Sequence, residues 1–217
     1  MRLIVLAAGQ GFKLNGFNKL FIRDPRTKET ILEKYLRLFA KYDITVVVGY
    51  KAIAVMSQYP DLDYVYNDQW RITGNSYSLC LALDERPSVV VSSDLLFDEE
   101  MVTLIEQYPE NSVFVAHSEN KGINTVRCTL EDDIIRSMYM GEERYQDPET
   151  LGIYKICDTQ LLRQWKKNCS MNKNVFAGLN LPVENGKVIA VDKKDINFHE
   201  INTPLDYLNL IKMTQKG

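Results

Sequence analysis

Three short stretches of the chain hold the residue types that phosphoryl or nucleotidyl transfer needs. In the first, Leu6-Ala7-Ala8-Gly9-Gln10-Gly11-Phe12-Lys13-Leu14, an apolar run meets two glycines, and Asn18-Lys19 follows shortly after. A buried strand that ends in glycines leaves backbone N–H groups free to surround phosphate oxygens, and glycine lets the backbone approach an anion without a Cβ in the way. Lys13 and Lys19 add the positive charge that such transfer requires. The stretch is not a Walker loop, because the four-residue gap and the Gly-Lys-Ser/Thr ending are missing, and it lacks the third glycine of a dinucleotide fingerprint. Taken alone it reads equally well as an ordinary tight turn.

The second stretch, Ser92-Ser93-Asp94-Leu95-Leu96-Phe97, puts a carboxylate at the C-terminal end of an apolar run. Open α/β sheets bind ligands at that edge of their strands, so Asp94 is expected to face a cleft; the plainer reading makes it a cap for the next turn. The third is His199-Glu200-Ile201-Asn202-Thr203-Pro204-Leu205-Asp206-Tyr207. Here Thr203 and Pro204 read as the N-cap and first turn of a closing helix, and Asp206 as an acid near its positive end.

These residues need a scaffold, and the pattern of apolar positions supplies one. Arg2 to Ala8 reads as a strand buried on both faces. Helical spacing from Thr30 to Tyr42 and a second apolar run from Ile44 to Gly49 complete a strand, helix, strand unit. The pattern recurs with Tyr64 to Tyr66, a helix from Ser76 to Leu83 and the run Ser88 to Asp94, followed by a helix from Glu99 to Gln107 and a strand from Ser112 to Ala116. Between Thr125 and Ile156 apolar and polar residues alternate, which suits antiparallel strands exposed on one face. Leu161 to Lys167 and Pro204 to Met213 read as helices and Lys187 to Val191 as a late strand. No repeat or linker divides the chain, so residues 1–217 are read as one domain, with a first half of about 1–118 and a second of about 119–217.

Composition excludes several classes. A net charge of -3 gives no footprint for nucleic acid, whose binding rests on clustered Lys and Arg. Cys80, Cys128, Cys157 and Cys169 lie far apart and are expected to be reduced core thiols, and His117 and His199 make a poor zinc or triad pair. The run Leu3 to Ala8 is too short for a membrane span and lacks a signal peptide's charged flank, so the expectation is a cytoplasmic protein with no membrane partner.

The three stretches resemble the sugar-phosphate and choline-phosphate nucleotidyltransferase family, whose first strand runs into Leu-Ala-Ala-Gly-x-Gly-Ser/Thr-Arg-Leu and then Pro-Lys, and which closes on Glu-Ile-Asp-Thr-Pro-x-Asp-Tyr. The likeness covers nearly the whole chain. It departs from the pattern at Phe12, Lys13, Asn18 and Asn202, where the family has a small hydroxyl residue, arginine, proline and often an acid. Lys13 keeps the charge but not the bidentate fork of a guanidinium. The segments Tyr66-Asn67-Asp68-Gln69-Trp70 and Thr73-Gly74-Asn75-Ser76-Tyr77-Ser78-Leu79 are similar to a stretch of phosphocholine cytidylyltransferases.

The resemblance implies an α/β fold, a doubly wound, mostly parallel Rossmann-like sheet of the GT-A-like nucleotidyltransferase kind with a small antiparallel extension on the acceptor side. It implies catalysis by Lys13, Lys19 and Asp94, and Mg²⁺ held by Asp94 with Glu200 or Asn202. The nucleotide would meet Leu6, Ala7, Ala8, Gly9, Gly11, Lys13, Gly74, Asn75 and Ser76, although Ser76 also reads as a plain helix N-cap. The acceptor would meet Tyr139, Tyr145, Gly152, Tyr154 and Lys155, where aromatic rings suit a quaternary ammonium and Arg127, Arg144 or Lys155 a carboxylate. The implied substrates are CTP and a small phosphorylated acceptor: phosphocholine, an aminoalkylphosphonate, or a phosphoglutamine-like compound of the kind used in cell-surface polysaccharide biosynthesis. A sugar 1-phosphate with UTP or another nucleotide is the alternative, and a nucleotide-binding regulatory module without catalysis a second. Homo-oligomerisation is left open.

Overall fold

The computed structural model describes residues 1–108, 111–117, 125–141 and 146–215. The first part alternates strand and helix: β1 (Arg2–Ala7), α1 (Ile31–Leu38), β2 (Asp43–Val48), α2 (Ala52–Gln58), β3 (Asp63–Tyr66), α3 (Asn75–Ala82) and β4 (Ser88–Ser92). The second continues through β5 (Leu95–Phe97), α4 (Glu99–Gln107), β6 (Ser112–Ala116), β7 (Val126–Glu131), β8 (Ile134–Met140), β9 (Glu149–Ile156), α5 (Thr159–Met171), β10 (Ile189–Asp192), β11 (Phe198–Glu200) and α6 (Pro204–Thr214).

Nine strands form one sheet in the order β3-β2-β1-β4-β9-β6-β10-β8-β7. The four strands β3, β2, β1 and β4 run parallel, with Leu3 opposite Ile44 on one side and Val89 on the other. All six residues of β1 are buried. Their side chains alternate between two cores, Leu3, Val5 and Ala7 joining Tyr35, Phe39 and Met101 on one face while Ile4 and Leu6 join Tyr154 and Trp165 on the other. A strand that feeds two cores has no polar face, and each fully buried side chain is worth about 1.5–3 kcal/mol.

The expectation of a mostly parallel sheet with a small extension needs correction. β9 lies antiparallel between β4 and β6, and β7 and β8 are antiparallel as well, so five of the nine strands belong to a mixed half. The expected antiparallel pairing of β9 holds, but Lys155 makes that strand look half exposed. The lysine is buried, and its ammonium donates to the carbonyls of Ile105, at 2.8 Å, and Tyr108, the last turn of α4 and the residue after it, where unpaired carbonyls attract a cation.

Helix boundaries follow local chemistry. α1 starts at a capping box, with the Thr30 hydroxyl accepting from the Glu33 N–H (3.1 Å) and the Glu33 carboxylate from the Thr30 N–H (2.7 Å). It stops at Leu38, short of the expected Tyr42, because the backbone of Phe39 leaves the helical region. α6 starts likewise, with Asp206 accepting from the N–H groups of Asn202 and Thr203, which sets that acid at the positive end of the helix as expected. The helix α2, the strand β8 as a separate element and the two-stranded ribbon of β5 with β11 were not singled out in the sequence. All four cysteines are free, Cys128 and Cys169 buried and the other two half-buried. Among the described residues no helix is long and apolar enough to cross a membrane.

Candidate active site

A cleft of about 200 Å³ opens at the C-terminal edge of β1 and β4, lined by Leu6, Ala7, Ala8, Gly9, Gly11, Asn18, Lys19, Asn67, Trp70, Thr73, Gly74, Asn75, Ser78, Ser92, Ser93 and Asp94. On one wall is the glycine turn. Gly11 has φ +61°, and a Cβ there would stand 2.9 Å from the Phe17 carbonyl oxygen, so the turn admits only glycine without strain. Among the described residues the N–H groups of Gly9, Gln10 and Gly11 make no hydrogen bond, which leaves them available to an anion. Lys13 sits in the one-turn helix Phe12–Leu14 just beyond, exposed and off the cleft lining.

Lys19 begins the next one-turn helix, Lys19–Phe21, whose N-cap Asn18 accepts from the Leu20 N–H through its side chain. The Lys19 ammonium reaches Asp94 Oδ2 at 2.6 Å and Asn202 Oδ1 at 2.8 Å. These three residues come from the glycine-turn side, the end of β4 and the start of α6, and the backbone aligns the last two. β5 and β11 pair with Leu95 opposite Glu200, and the Ile201 N–H donates to the Asp94 carbonyl at 2.8 Å. From below, the buried Tyr35 hydroxyl lies 2.9 Å from the carbonyl oxygens of both Ser92 and Leu95, which bracket Asp94. Burial, and then the Asp94 charge, push the Tyr35 hydroxyl well above its ordinary pKa, so it stays a donor.

Glu200 borders this group, its Oε1 accepting from Asn202 Nδ2 at 2.6 Å. The residue is exposed at the cleft rim, yet desolvation raises its pKa and the nearby Asp94 carboxylate raises it further, with Asn202 and Lys19 opposing.

The opposite wall carries amides and hydroxyls. Asn67, fully buried at the end of β3, donates through Nδ2 to Ser78 Oγ (3.0 Å) and Thr73 Oγ1 (3.3 Å). Gly74 is the N-cap of α3 and lies so close to the chain at 174–175 that a Cβ would stand 2.6 Å from the Val175 carbonyl oxygen. Asn75 lines the cleft while its Oδ1 accepts from the Ala177 N–H at 2.7 Å. Ser76 needs correction on both its readings: it is not the N-cap, and its buried hydroxyl accepts from the Asn180 side-chain amide, away from the cleft. The i+2 neighbour Ser78 occupies the lining instead, and Asn67, Trp70, Thr73, Ser92 and Ser93 join it there. The signal that could have found Asn67 and Ser92 is their place at the C-terminal ends of parallel strands, the same signal that marked Asp94.

The acceptor expectations fare unevenly. Tyr154 is a core residue, packed on Trp165 with ring centroids 5.5 Å apart, and Lys155 is committed to the carbonyls at the C-terminal end of α4, so neither meets the cleft. Gly152 has φ +72° and sits against Ser92 of the cleft lining. Tyr139 is half-buried and donates to Asp147 Oδ2 at 2.9 Å. Tyr145 and Arg144 lie outside the described residues, and Arg127 is fully buried, donating to the carbonyls of Gly141 and Asp147.

The donor set suits a hard divalent cation. Asp94 Oδ1 is buried without a hydrogen-bond partner, an oxygen with lone pairs to offer, and the other carboxylate oxygen, Oδ2, converges with Asn202 Oδ1 on the Lys19 ammonium. Among the described residues no three His, Cys, Asp or Glu side chains cluster to cage a metal.

No curated protein matches the sequence. Among solved structures the chain is similar to a CTP:phosphocholine cytidylyltransferase from Streptococcus pneumoniae (18% identity, TM-score 0.80, covering 98% of each chain). It is similar also to an inositol-1-phosphate CTP transferase from T. maritima (18% identity, TM-score 0.73, covering 100% of this chain and 96% of that one) and a UDP-glucose pyrophosphorylase (12% identity, TM-score 0.75, covering 99% and 98%). These likenesses give the fold. The model of the MobA-like NTP transferase domain matches residues 3–165, three quarters of the chain, including the glycine turn, Lys19 and Asp94, and the protein therefore belongs to that nucleotidyltransferase family.

Proposed function

We propose that the chain is a cytidylyltransferase that moves CMP from CTP to a small phosphorylated acceptor and releases pyrophosphate. The observation that carries this reading is the meeting of Lys19, Asp94 and Asn202 at the strand edge beside a glycine turn whose N–H groups are unpaired. An oxygen of the acceptor phosphate attacks the α-phosphorus of CTP, the new P–O bond forms as the bond to the β-phosphate oxygen breaks, and the electron pair leaves with pyrophosphate. The attacking oxygen is already anionic, so no general base is required. The Gly9–Gly11 N–H groups bind the triphosphate, Lys13 adds charge from the rim, and Lys19 spans the α-phosphate and the incoming phosphate. Asp94 and Asn202, with Glu200 beside them, would hold Mg²⁺, which when bound supplies charge neutralisation at the α-phosphate.

The wall of Asn67, Thr73, Asn75 and Ser78 supports a pyrimidine, since side-chain amides and hydroxyls match the polar edge of such a base. A sugar 1-phosphate with UTP is the second reading, favoured by the likeness in fold to the UDP-glucose enzyme. The test is magnesium-dependent pyrophosphate release with each of the four nucleoside triphosphates against phosphocholine, aminoethylphosphonate, phosphoglutamine and sugar 1-phosphates. Release with CTP and one of the first three acceptors is the expected result. Release with sugar phosphates alone would transfer the assignment to the second reading, and CTP binding without release would make the chain a regulatory module.

A further inference from the structure

We infer that Lys19 is an internal placeholder for the catalytic cation: its ammonium holds the two metal-binding oxygens in the free protein, and metal loading releases it to the phosphates. The inference rests on the reading that Asp94 and Asn202 take the metal. The ammonium sits 2.6 Å from Asp94 Oδ2 and 2.8 Å from Asn202 Oδ1, on the point where those two oxygens converge. Asn202 cannot turn its oxygen elsewhere, because its Nδ2 is donated to Glu200 Oε1 at 2.6 Å and a flipped amide would set its NH2 against the ammonium.

Magnesium takes its oxygens at about 2.0–2.1 Å, closer than any ammonium. Two cations on the same pair of oxygens would also stand within a few ångströms of each other, where like charges in a partly buried site repel strongly. Lys19 must therefore leave when the dication arrives. The departure is easy: Lys19 lies on the cleft lining, its side chain is a fifth exposed, and its four-carbon stem swings without moving the backbone. Asp94 Oδ1 marks the exchange as incomplete in the free state, since the ammonium satisfies one carboxylate oxygen and leaves the other buried and unpaired. The consequence is an order of events: the lysine that neutralises the phosphates becomes available only after the metal is in place.

The test uses the full chain without nucleotide. Mn²⁺ titration followed by electron paramagnetic resonance compares the natural protein with Lys19→Gln and Asp94→Asn, and in crystals of the natural protein anomalous scattering locates Mn²⁺ while electron density locates the Lys19 amine. Expected are Mn²⁺ binding about tenfold tighter in Lys19→Gln, its loss in Asp94→Asn, and a Lys19 amine that has left both oxygens in the Mn²⁺-loaded crystal. An ion on Asp94 with the amine still bridging Asp94 and Asn202 would overturn the exchange while leaving the metal site intact, even if Lys19→Gln binds more tightly through charge alone. Mn²⁺ binding indifferent to Asp94→Asn would remove the metal site itself, and the exchange with it.

Discussion

Among the described residues two lysines bridge two side-chain oxygens, and only one of the bridges is complete. Lys34, fully buried on α1, donates to Asp24 Oδ2 and to Asp98 Oδ1, each at 2.6 Å. Arg26 adds bonds to both acids at 3.0 Å, and its N–H donates to Asp24 Oδ1, so every oxygen of Asp24 is met. Lys19 bridges Asp94 and Asn202 with nearly the same geometry, but it stands in an open cleft and leaves Asp94 Oδ1 orphaned. A buried polar network with all partners present serves the fold, whereas a half-satisfied one at a cleft marks a place where something else is to bind.

The sharpest way to break this comparison is on the structural side. Asp24→Asn leaves the buried Lys34 with one carboxylate and is expected to cost roughly 3–5 kcal/mol, a large share of the stability of a domain this size, while the remaining folded protein keeps its turnover. Urea unfolding with activity measured well below the transition checks both halves. The acid limb follows from the same network. Burial alone would raise the Asp24 pKa, but hydrogen bonds from Arg26 and Lys34 outweigh it and hold the group well below the usual range, and Asp98 is lowered in the same way. Acids with depressed pKa values stabilise the fold above the unfolded-state value of about 4 and lose that contribution as pH falls below it. Thermal midpoints should drop progressively as pH falls below about 5, and drop less in Asp24→Asn. Glu200 has the opposite sign, since its pKa is raised: stability it provides when protonated fades as pH rises, and Glu200→Gln is expected to leave the neutral-pH midpoint unchanged or slightly higher.

On the cleft side the expected effects change place. Asp94→Ala should lose about 10²–10³-fold in turnover, or roughly 3–4 kcal/mol of transition-state stabilisation, while its unfolding free energy moves by under about 1 kcal/mol. The removed carboxylate had an unpaired oxygen, and Lys19 keeps its bond to Asn202. Single-turnover kinetics beside a denaturation curve decide the matter, and a stable, fully active Asp94→Ala would end the functional assignment.

The contrast between the two bridges was only half legible in the sequence. The apolar runs of β1, β2 and β4 and the glycine turn announce the parallel half and the phosphate side of the cleft, because five consecutive apolar residues, Leu3 to Ala7 in β1, suit a strand buried on both faces. Asp94 and Lys19 were legible from their place beside those features. The Lys34 network was not, since a lysine on α1 looks like any solvated charge until tertiary packing encloses it. The mixed half was misread for the same reason: the alternation through Tyr154 and Lys155 reads as a strand exposed on one face, and the insertion of β9 between β4 and β6 buries both residues. Ser76 shows the limit at the finest scale, because a one-residue shift in where α3 begins turned its hydroxyl from the cleft to Asn180.

Tyr35 joins the two regions, and its hydroxyl offers the smallest of the expected effects and the most specific. α1 carries both Lys34, which belongs to the complete network, and Tyr35, whose hydroxyl reaches the carbonyls of Ser92 and Leu95 on either side of Asp94. Its ring also stacks on Phe97 at 5.4 Å, so Tyr35→Phe keeps the packing and deletes only the donor. Two buried carbonyls then share the loss, and the expected cost is about 1 kcal/mol in unfolding free energy. If the hydroxyl serves only the fold, that is the whole effect. If it also fixes the turn that presents Asp94, turnover at saturating substrate falls several-fold with nucleotide affinity unchanged, since the glycine turn and the amide wall are untouched. Measuring kcat and nucleotide Kd on Tyr35→Phe separates the cases: a fall in kcat alone extends the cleft network down into α1, and an unchanged kcat confines it to Lys19, Asp94 and Asn202.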